Sequence, residues 1–191
     1  MKPIAKTLFG LTCVILLPLA AMAGQDKFGV MDTVYADVAW ISPSTATVTI
    51  SYFNDENVVG LQIPFKMDAG MNKIVADSAV YLGGRIAEAK WAVAAFRPDT
   101  SVQCVLLGMM ANVGPTDHKL TPGNGRLVTV FISSLEDKNI ANLTIDTTTV
   151  ARGVSLMAVA DMIQGNPADT VKMSMLERQI KPAWIIRYAK K

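Results

Sequence analysis

Few residues of this sequence are of the types that carry out catalysis. The one histidine, His118, lies in a Gly/Pro-rich stretch and has no partner at metal-ligand spacing. A nucleophilic triad would need a serine or cysteine and a carboxylate beside it, and neither G-x-S-x-G nor H-E-x-x-H occurs. Cys104 lies in an apolar run, which is typical of a buried and unreactive thiol. The sequence therefore predicts no catalytic residues and a protein that is not an enzyme.

Carboxylates are plentiful, but their spacing favours no reaction. A glycosidase needs two carboxyl groups about 5–10 Å apart, and a chain with 16 acidic residues contains some such pair by chance. Asp32 and Asp37 are an odd number of residues apart and would face opposite sides of one strand. Asp55 and Glu56 are neighbours in a polar turn. We expect these four side chains to be solvated.

A calcium site has candidate ligands but no supporting pattern. Asp55, Asp117 and Asp146 could each supply oxygen atoms, yet no D-x-[DN]-x-[DN]-G run is present. The sequence accordingly predicts no metal and no cofactor.

Aromatic rings and hydroxyl groups are the remaining candidates for ligand contact. Flat rings can pack on sugars, but the tryptophans and tyrosines form no row on one predicted strand, and buried aromatic residues are the common case. Trp40 and Trp184 stay candidates for ligand binding. Thr47, Thr49 and Ser51 alternate with apolar residues, so we expect them on an exposed sheet face that contributes to binding.

Residues 1–23 have the pattern of a secretory signal peptide. Lys2 and Lys6 precede an apolar run over residues 8–20, and Ala21-Met22-Ala23 forms a small-x-small cleavage site. The alternative, a membrane anchor, would need about 20 apolar residues, and this run is shorter. We therefore expect cleavage after Ala23, a secreted or periplasmic location, and no stable membrane span.

Cleavage changes the charge and cysteine content. It removes two of the 18 basic residues and none of the 16 acidic ones, so the charges balance. A neutral chain is unsuited to neutralising phosphates, which argues against a nucleic-acid partner. Cys13 is lost with the leader, which leaves Cys104 alone and permits no intramolecular disulfide.

Alternation of apolar and polar residues predicts the fold. Residues 46–53 and 58–65 alternate with period two around a polar turn, which indicates a β-hairpin. Similar short runs recur at regular spacing, and no strong amphipathic helix interrupts them. We predict an all-β protein, a single antiparallel β-sandwich of about nine strands over residues 28–171.

The last 20 residues differ from the rest in charge. Residues 172–191 contain six basic side chains and one acidic side chain, Glu177. This basic C-terminal segment is either a last strand or a tail, and it could mediate self-association with an acidic surface.

The order of several short pieces over residues 30–162 resembles a cohesin-like domain of the carbohydrate-binding β-sandwich group. The pieces are Val48-Thr49-Ile50 followed by Asn54 and Val59-Gly60-Leu61-Gln62-Ile63, then Phe65-Lys66-Met67-Asp68, Ala79-Val80 with Gly83-Gly84, the run from Gly125 to Ile132, and Asn142-Leu143-Thr144-Ile145. The resemblance implies a jelly-roll or cohesin-like sandwich and a binding role. The family's usual partner, the dockerin, carries a duplicated calcium loop, and the basic C-terminal segment has no counterpart in the family. A role in cellulosomes is therefore not implied.

Two functions follow as expectations. The first is a secreted, non-catalytic module that recognises an extracellular polysaccharide or protein partner. The alternative is a structural subunit of an envelope or extracellular assembly, since apolar strands and an oppositely charged segment suit self-association.

Overall fold

Two β-sheets packed face to face make up the part of the chain that the computed structural model describes, which is residues 26, 28–91, 93–111, 118–148, 154–161 and 178–190. These residues form eleven strands and one short helix: β1 (Thr33–Ser42), β2 (Thr45–Asn54), β3 (Val58–Asp68), β4 (Ile74–Val80), α1 (Arg85–Glu88), β5 (Val93–Asp99), β6 (Cys104–Met110), β7 (Gly123–Ser134), β8 (Thr144–Asp146), β9 (Met157–Ala160), β10 (Gln179–Ile180) and β11 (Ala183–Tyr188). The predicted all-β sandwich is confirmed, with eleven strands in place of about nine.

The first sheet has the strand order β11-β1-β2-β7-β4. Its long central strand, β2, pairs antiparallel with both β1 and β7. The period-two pattern of β2 places Val48, Ile50 and Tyr52 on the inner face, where each is fully buried. Burying this apolar face against the other sheet supplies the driving force for the sandwich.

The second sheet has the order β10-β9-β3-β6-β5, and β8 also pairs with β3. Pro64, which the sequence places at a strand end or on an edge, lies in the interior of β3. There β9 pairs with Val58–Gln62 and β8 with Lys66–Asp68. Pro64 lies in the interval between these two pairings. The missing N–H of proline costs little where one side of a strand is locally unpaired.

Residues 85–95 contain both helix-favouring and strand-favouring residues, and the structure divides them between a helix and a strand. The helix α1 occupies only Arg85–Glu88 and buries Ile86. Gly84 precedes it so closely against β7 that an added Cβ would lie 2.7 Å from the carbonyl oxygen of Leu127. Among the described residues, no helix is long and apolar enough to cross a membrane.

The described part of the basic C-terminal segment is built into the sandwich. β11 runs parallel to β1, so that Trp184 pairs with Val34 and packs against the core. The Arg187 guanidinium binds both oxygens of the Asp37 carboxylate, at 2.5 and 2.6 Å. One positive charge of the segment is therefore paired within the molecule.

Removal of residues 183–191 should destabilise the protein, because it uncovers the edge of β1 and the core beneath Trp184. Burial of that apolar surface contributes about 3 kcal/mol, which corresponds to a fall in melting temperature of about 10 °C for a chain of this size. Thermal unfolding followed by circular dichroism measures it. A chain that ends at Ala189 keeps β11 and should melt like the full one. Equal melting of both truncated chains would contradict a structural role for β11.

Candidate functional site

The outer face of the first sheet contains the predicted hydroxyl row. Thr47, Thr49 and Ser51 lie on β2, half-buried and facing away from the core. The hydroxyl groups of Thr49 and Thr129, on the neighbouring strand β7, lie 3.4 Å apart. The three predicted residues are thus brought together on one surface.

The two candidate tryptophans do not join that surface. Trp40 and Trp184 follow the inward-facing positions of β1 and β11 and pack against the core. The Trp40 indole donates a hydrogen bond to the Ile140 carbonyl oxygen at 2.8 Å, and its ring stacks with that of Tyr188. Their positions alongside the core give both rings a packing role.

The outer face of the second sheet has an apolar centre that the sequence pattern did not reveal. Pro64 on β3 pairs with Leu106 on β6, which in turn pairs with Arg97 on β5. Gly108 and Ala95 form the next pair on the same face of β6 and β5. We call the surface formed by these five residues the β3–β6–β5 face.

The sequence of residues 101–111 is apolar on both alternating faces, which predicts a strand covered on both sides, and this prediction was wrong for the outer face of β6. Leu106 and Gly108 are half-exposed, whereas Val105 and Leu107 are fully buried. The run reads as apolar on both sides because its outer face is itself apolar. A sequence cannot distinguish an apolar surface from a covered one.

The expectation that Asp32, Asp55 and Glu56 are solvated was also wrong for two of them. Asp32 is fully buried and Glu56 is 9% exposed. Together with Asp26 and Asp55 they form a group whose carboxylate oxygens, one from each residue, all lie within 4.8 Å of one another. We call these four residues the carboxylate cluster.

Three segments bring the carboxylate cluster together. Asp26 lies in the N-terminal segment, Asp32 directly precedes β1, and Asp55 and Glu56 form the turn between β2 and β3. The buried Asn54 holds this turn, since its amide donates to the Glu56 carbonyl oxygen at 2.6 Å. Strand pairing thereby carries distant acidic residues to one end of the sandwich.

Some oxygens of the carboxylate cluster have donors and others have none. Both Asp26 oxygens accept backbone N–H bonds, from Phe28 at 2.9 Å and from Asp32 at 3.2 Å. One Asp32 oxygen accepts a hydrogen bond from the Tyr52 hydroxyl. Asp32 Oδ1, Asp55 Oδ1 and both Glu56 oxygens are buried without a hydrogen-bond partner.

The surroundings of the carboxylate cluster disfavour negative charge. Burial raises the pKa of Asp32 to about 7, against a lowering by its hydrogen bond from Tyr52. Burial, followed by the charge of Asp32, raises the pKa of Glu56 to about 9. Among the described residues, the salt bridges join Lys119 to Asp161 and Arg187 to Asp37, and neither reaches this cluster.

His118 and Cys104 lie apart from the carboxylate cluster. His118 is half-buried and lines a cleft of about 400 Å³ together with Arg85, Lys90 and Lys119. Cys104 is 5% exposed, as predicted for an inert thiol. Of the other calcium candidates, Asp146 accepts bonds from Thr148, and Asp117 lies outside the described residues.

Comparison with solved structures identifies the architecture. The third cohesin of ScaC from Acetivibrio cellulolyticus, solved in complex with the ScaB dockerin, superposes with a TM-score of 0.50 at 12% identity over 84% of this chain and 100% of its own. The sixth cohesin of scaffoldin B from the same organism, in complex with a Cel5 dockerin, superposes with a TM-score of 0.50 at 6% identity over 82% and 99%. The chain has a cohesin-like fold.

Sequence comparison adds nothing to this result. No family model matches the chain, and no curated protein matches it. A non-cellulosomal cohesin from Archaeoglobus fulgidus is also similar in structure, with a TM-score of 0.49 at 12% identity over 84% of this chain and 92% of its own. The two cohesins with a TM-score of 0.50 confirm the cohesin-like fold that the dispersed sequence pieces predict.

In buffer with a chelator that removes metal ions, the free energy of unfolding should fall as the pH rises. Asp32 and Glu56 bind protons in the folded state at pH values where the unfolded chain has released them, so the folded state loses stability between about pH 4 and pH 9. We expect the melting temperature to drop by about 5 °C or more between pH 5 and pH 8.5.

Glu56→Gln should flatten this dependence, because an amide does not titrate. Asp68→Asn serves as the control, since Asp68 is exposed at the opposite end of β3. A pH dependence that is the same in wild type and Glu56→Gln would contradict the assignment.

Proposed function

We propose that this protein is an exported, non-catalytic module that binds a protein partner through the β3–β6–β5 face. The observation that carries the proposal is the cohesin-like fold combined with a sheet face on which the apolar Leu106 is partly exposed and Arg97 is exposed. A fold alone does not define a function, so the surface itself has to support recognition.

The β3–β6–β5 face has the composition of a protein-binding surface. Interfaces between proteins have a core depleted in charge and a polar rim. Here the partly exposed Leu106 and Gly108 lie at the centre beside the buried Pro64, and Arg97 on the edge strand β5 is exposed. Small and flat central residues allow close approach of another surface. A partner that fits would present an apolar patch with a carboxylate opposite Arg97.

The similar solved structures support a protein as the partner. The two cohesins with a TM-score of 0.50 were each solved in complex with a dockerin. Because the identity to this chain is 12% or less, the partner here need not be a dockerin. The shared architecture supports the class of function, namely docking of a second protein on a preformed sandwich.

Binding should depend on the centre of the β3–β6–β5 face. Leu106→Asp and Arg97→Glu should each weaken partner binding about 10-fold or more. Leu106→Asp places a charge at the centre of the interface, where affinity depends on apolar contact. Arg97→Glu places a negative charge opposite the carboxylate of the partner. Residues 24–191 serve as bait against dockerin modules and against envelope and medium fractions, and calorimetry then measures affinity for the purified partner.

The opposite sheet provides the matched control and the alternative ligand. Thr49→Lys alters the outer face of the first sheet and should leave protein binding unchanged. The hydroxyl row of Thr47, Thr49 and Ser51 suits a polysaccharide instead, and a glycan array tests it. If Thr49→Lys abolishes glycan binding and Leu106→Asp leaves it intact, the protein-binding proposal is contradicted.

The structural-subunit alternative rests on the edge strand β11. Its Ile185 and Tyr188 are 44% and 43% exposed, and an uncovered strand edge can pair with another copy. Light scattering of the wild-type chain at low and high salt distinguishes the alternatives. A stable assembly at both salt concentrations would support a structural subunit, and a monomer supports the binding module.

Export requires removal of the predicted leader. If the leader is cleaved after Ala23, the mature protein begins at Gly24. Intact mass and N-terminal sequencing of the protein from an exporting host measure this directly. Ala23→Leu should block processing, because the cleavage site needs a small residue, whereas Ala20→Leu should be processed normally. A mature protein that keeps Met1 would contradict export by this route.

A further inference from the structure

We propose that the carboxylate cluster of Asp26, Asp32, Asp55 and Glu56 is a calcium-binding site that fastens the N-terminal segment to the turn between β2 and β3. This site is separate from the proposed protein-binding face, and neither the fold nor the sequence motifs assign it.

The unpartnered oxygens are the observation that points to a ligand. Glu56 is 9% exposed, yet neither of its carboxylate oxygens has a hydrogen-bond partner, and the same holds for Oδ1 of the fully buried Asp32. Buried polar atoms nearly always have partners, and a buried oxygen without a protein donor points to an ion or a water as its partner. Neither salt bridge among the described residues reaches these four carboxylates, and carboxylates buried so close together require a positive charge or protons to be stable.

The donor atoms select the kind of cation. The cluster offers only carboxylate oxygens, which suit hard cations such as calcium and magnesium rather than zinc or copper. Calcium binds oxygens at about 2.3–2.6 Å, so two ligands on opposite sides lie up to about 5 Å apart. Magnesium requires about 2.0–2.1 Å and brings opposite ligands to about 4 Å. The cluster oxygens all lie within 4.8 Å of one another, a spacing that a calcium sphere accommodates.

The surrounding hydrogen bonds preorganise the site. Tyr52 orients Asp32 from the core side, and the backbone N–H of Val30 donates to Asp55 at 2.7 Å. Gly29 lies so close to the Asp55 carboxylate that an added Cβ would collide with it. Asp26 and residues 28–32 thus lie against the turn through these contacts, and a bound cation would join them to it.

Calcium binding is tested on residues 24–191 by calorimetry and by unfolding in calcium chloride, magnesium chloride or EDTA at pH 7.5. At a calcium concentration 100 times the dissociation constant, the unfolding equilibrium constant should fall about 100-fold relative to EDTA. Magnesium should bind at least about 10-fold more weakly. Glu56→Gln and Asp55→Asn should each weaken calcium binding by about 10-fold or more.

The controls separate a specific site from general effects of salt. Asp68→Asn removes an exposed carboxylate at the other end of β3 and should bind calcium like wild type. Folding of each variant is verified by circular dichroism, and Asp55→Asn carries the test if Glu56→Gln does not fold. No stabilisation by calcium, equal binding of magnesium, or a calcium effect that persists in both variants would each overturn the proposal.

The experiment is independent of the proposed function. A failure of partner binding in Leu106→Asp with calcium binding intact would leave this site unaffected. Loss of calcium binding in Glu56→Gln with partner binding intact would support the site without bearing on the β3–β6–β5 face.

Discussion

Burial of the Tyr52 side chain is the constraint on which one end of the sandwich depends. Tyr52 continues the inward-facing row of Val48 and Ile50 on β2, and it is fully buried. A buried phenol needs a hydrogen-bond partner, and the Asp32 carboxylate provides it. That contact draws Asp32 into apolar surroundings, where a negative charge is costly. The strand pairing that buries Tyr52 also carries Asp55 and Glu56 to the same place.

The carboxylates at this end of the sandwich differ from the other carboxylates in their neighbours and in their pKa. Elsewhere, carboxylates such as Asp37 and Asp161 bind a basic side chain. At the end of the sandwich, burial and then the charges of Asp32 and Asp26 instead raise the pKa of Glu56. Protons or a divalent cation relieve the same repulsion, so the pH dependence without calcium and the affinity for calcium have one physical origin.

The carboxylate cluster and the β3–β6–β5 face are connected through one strand. β3 begins at Val58, two residues after Glu56, and it contributes Pro64 to the face. A cation that stabilises the turn would therefore also stabilise the start of the strand that supports the surface. The connection follows from chain continuity and requires no conformational change at the face.

Local patterns explain where prediction from the sequence succeeded. Period-two alternation identified β2 and β3, because a strand with one buried face must alternate. The alternation that places Val48 and Ile50 in the core places Tyr52 there as well, and the apolar run around Cys104 correctly predicted its burial. Prediction from the sequence was wrong for residues 101–111, because an apolar outer face and a covered face have the same sequence pattern. It was also wrong for Glu56, because a polar turn is normally solvated.

The sequence by itself determined the all-β class, the hairpin of β2 and β3, and the resemblance to cohesin-like domains, since each depends on neighbouring residues or on their order. Only the tertiary structure decided which side chains meet. Asp26 and Glu56 are 30 positions apart, and Pro64 and Leu106 are 42 apart. Their proximity follows from sheet order and register, which are set by packing of the whole core rather than by any local pattern.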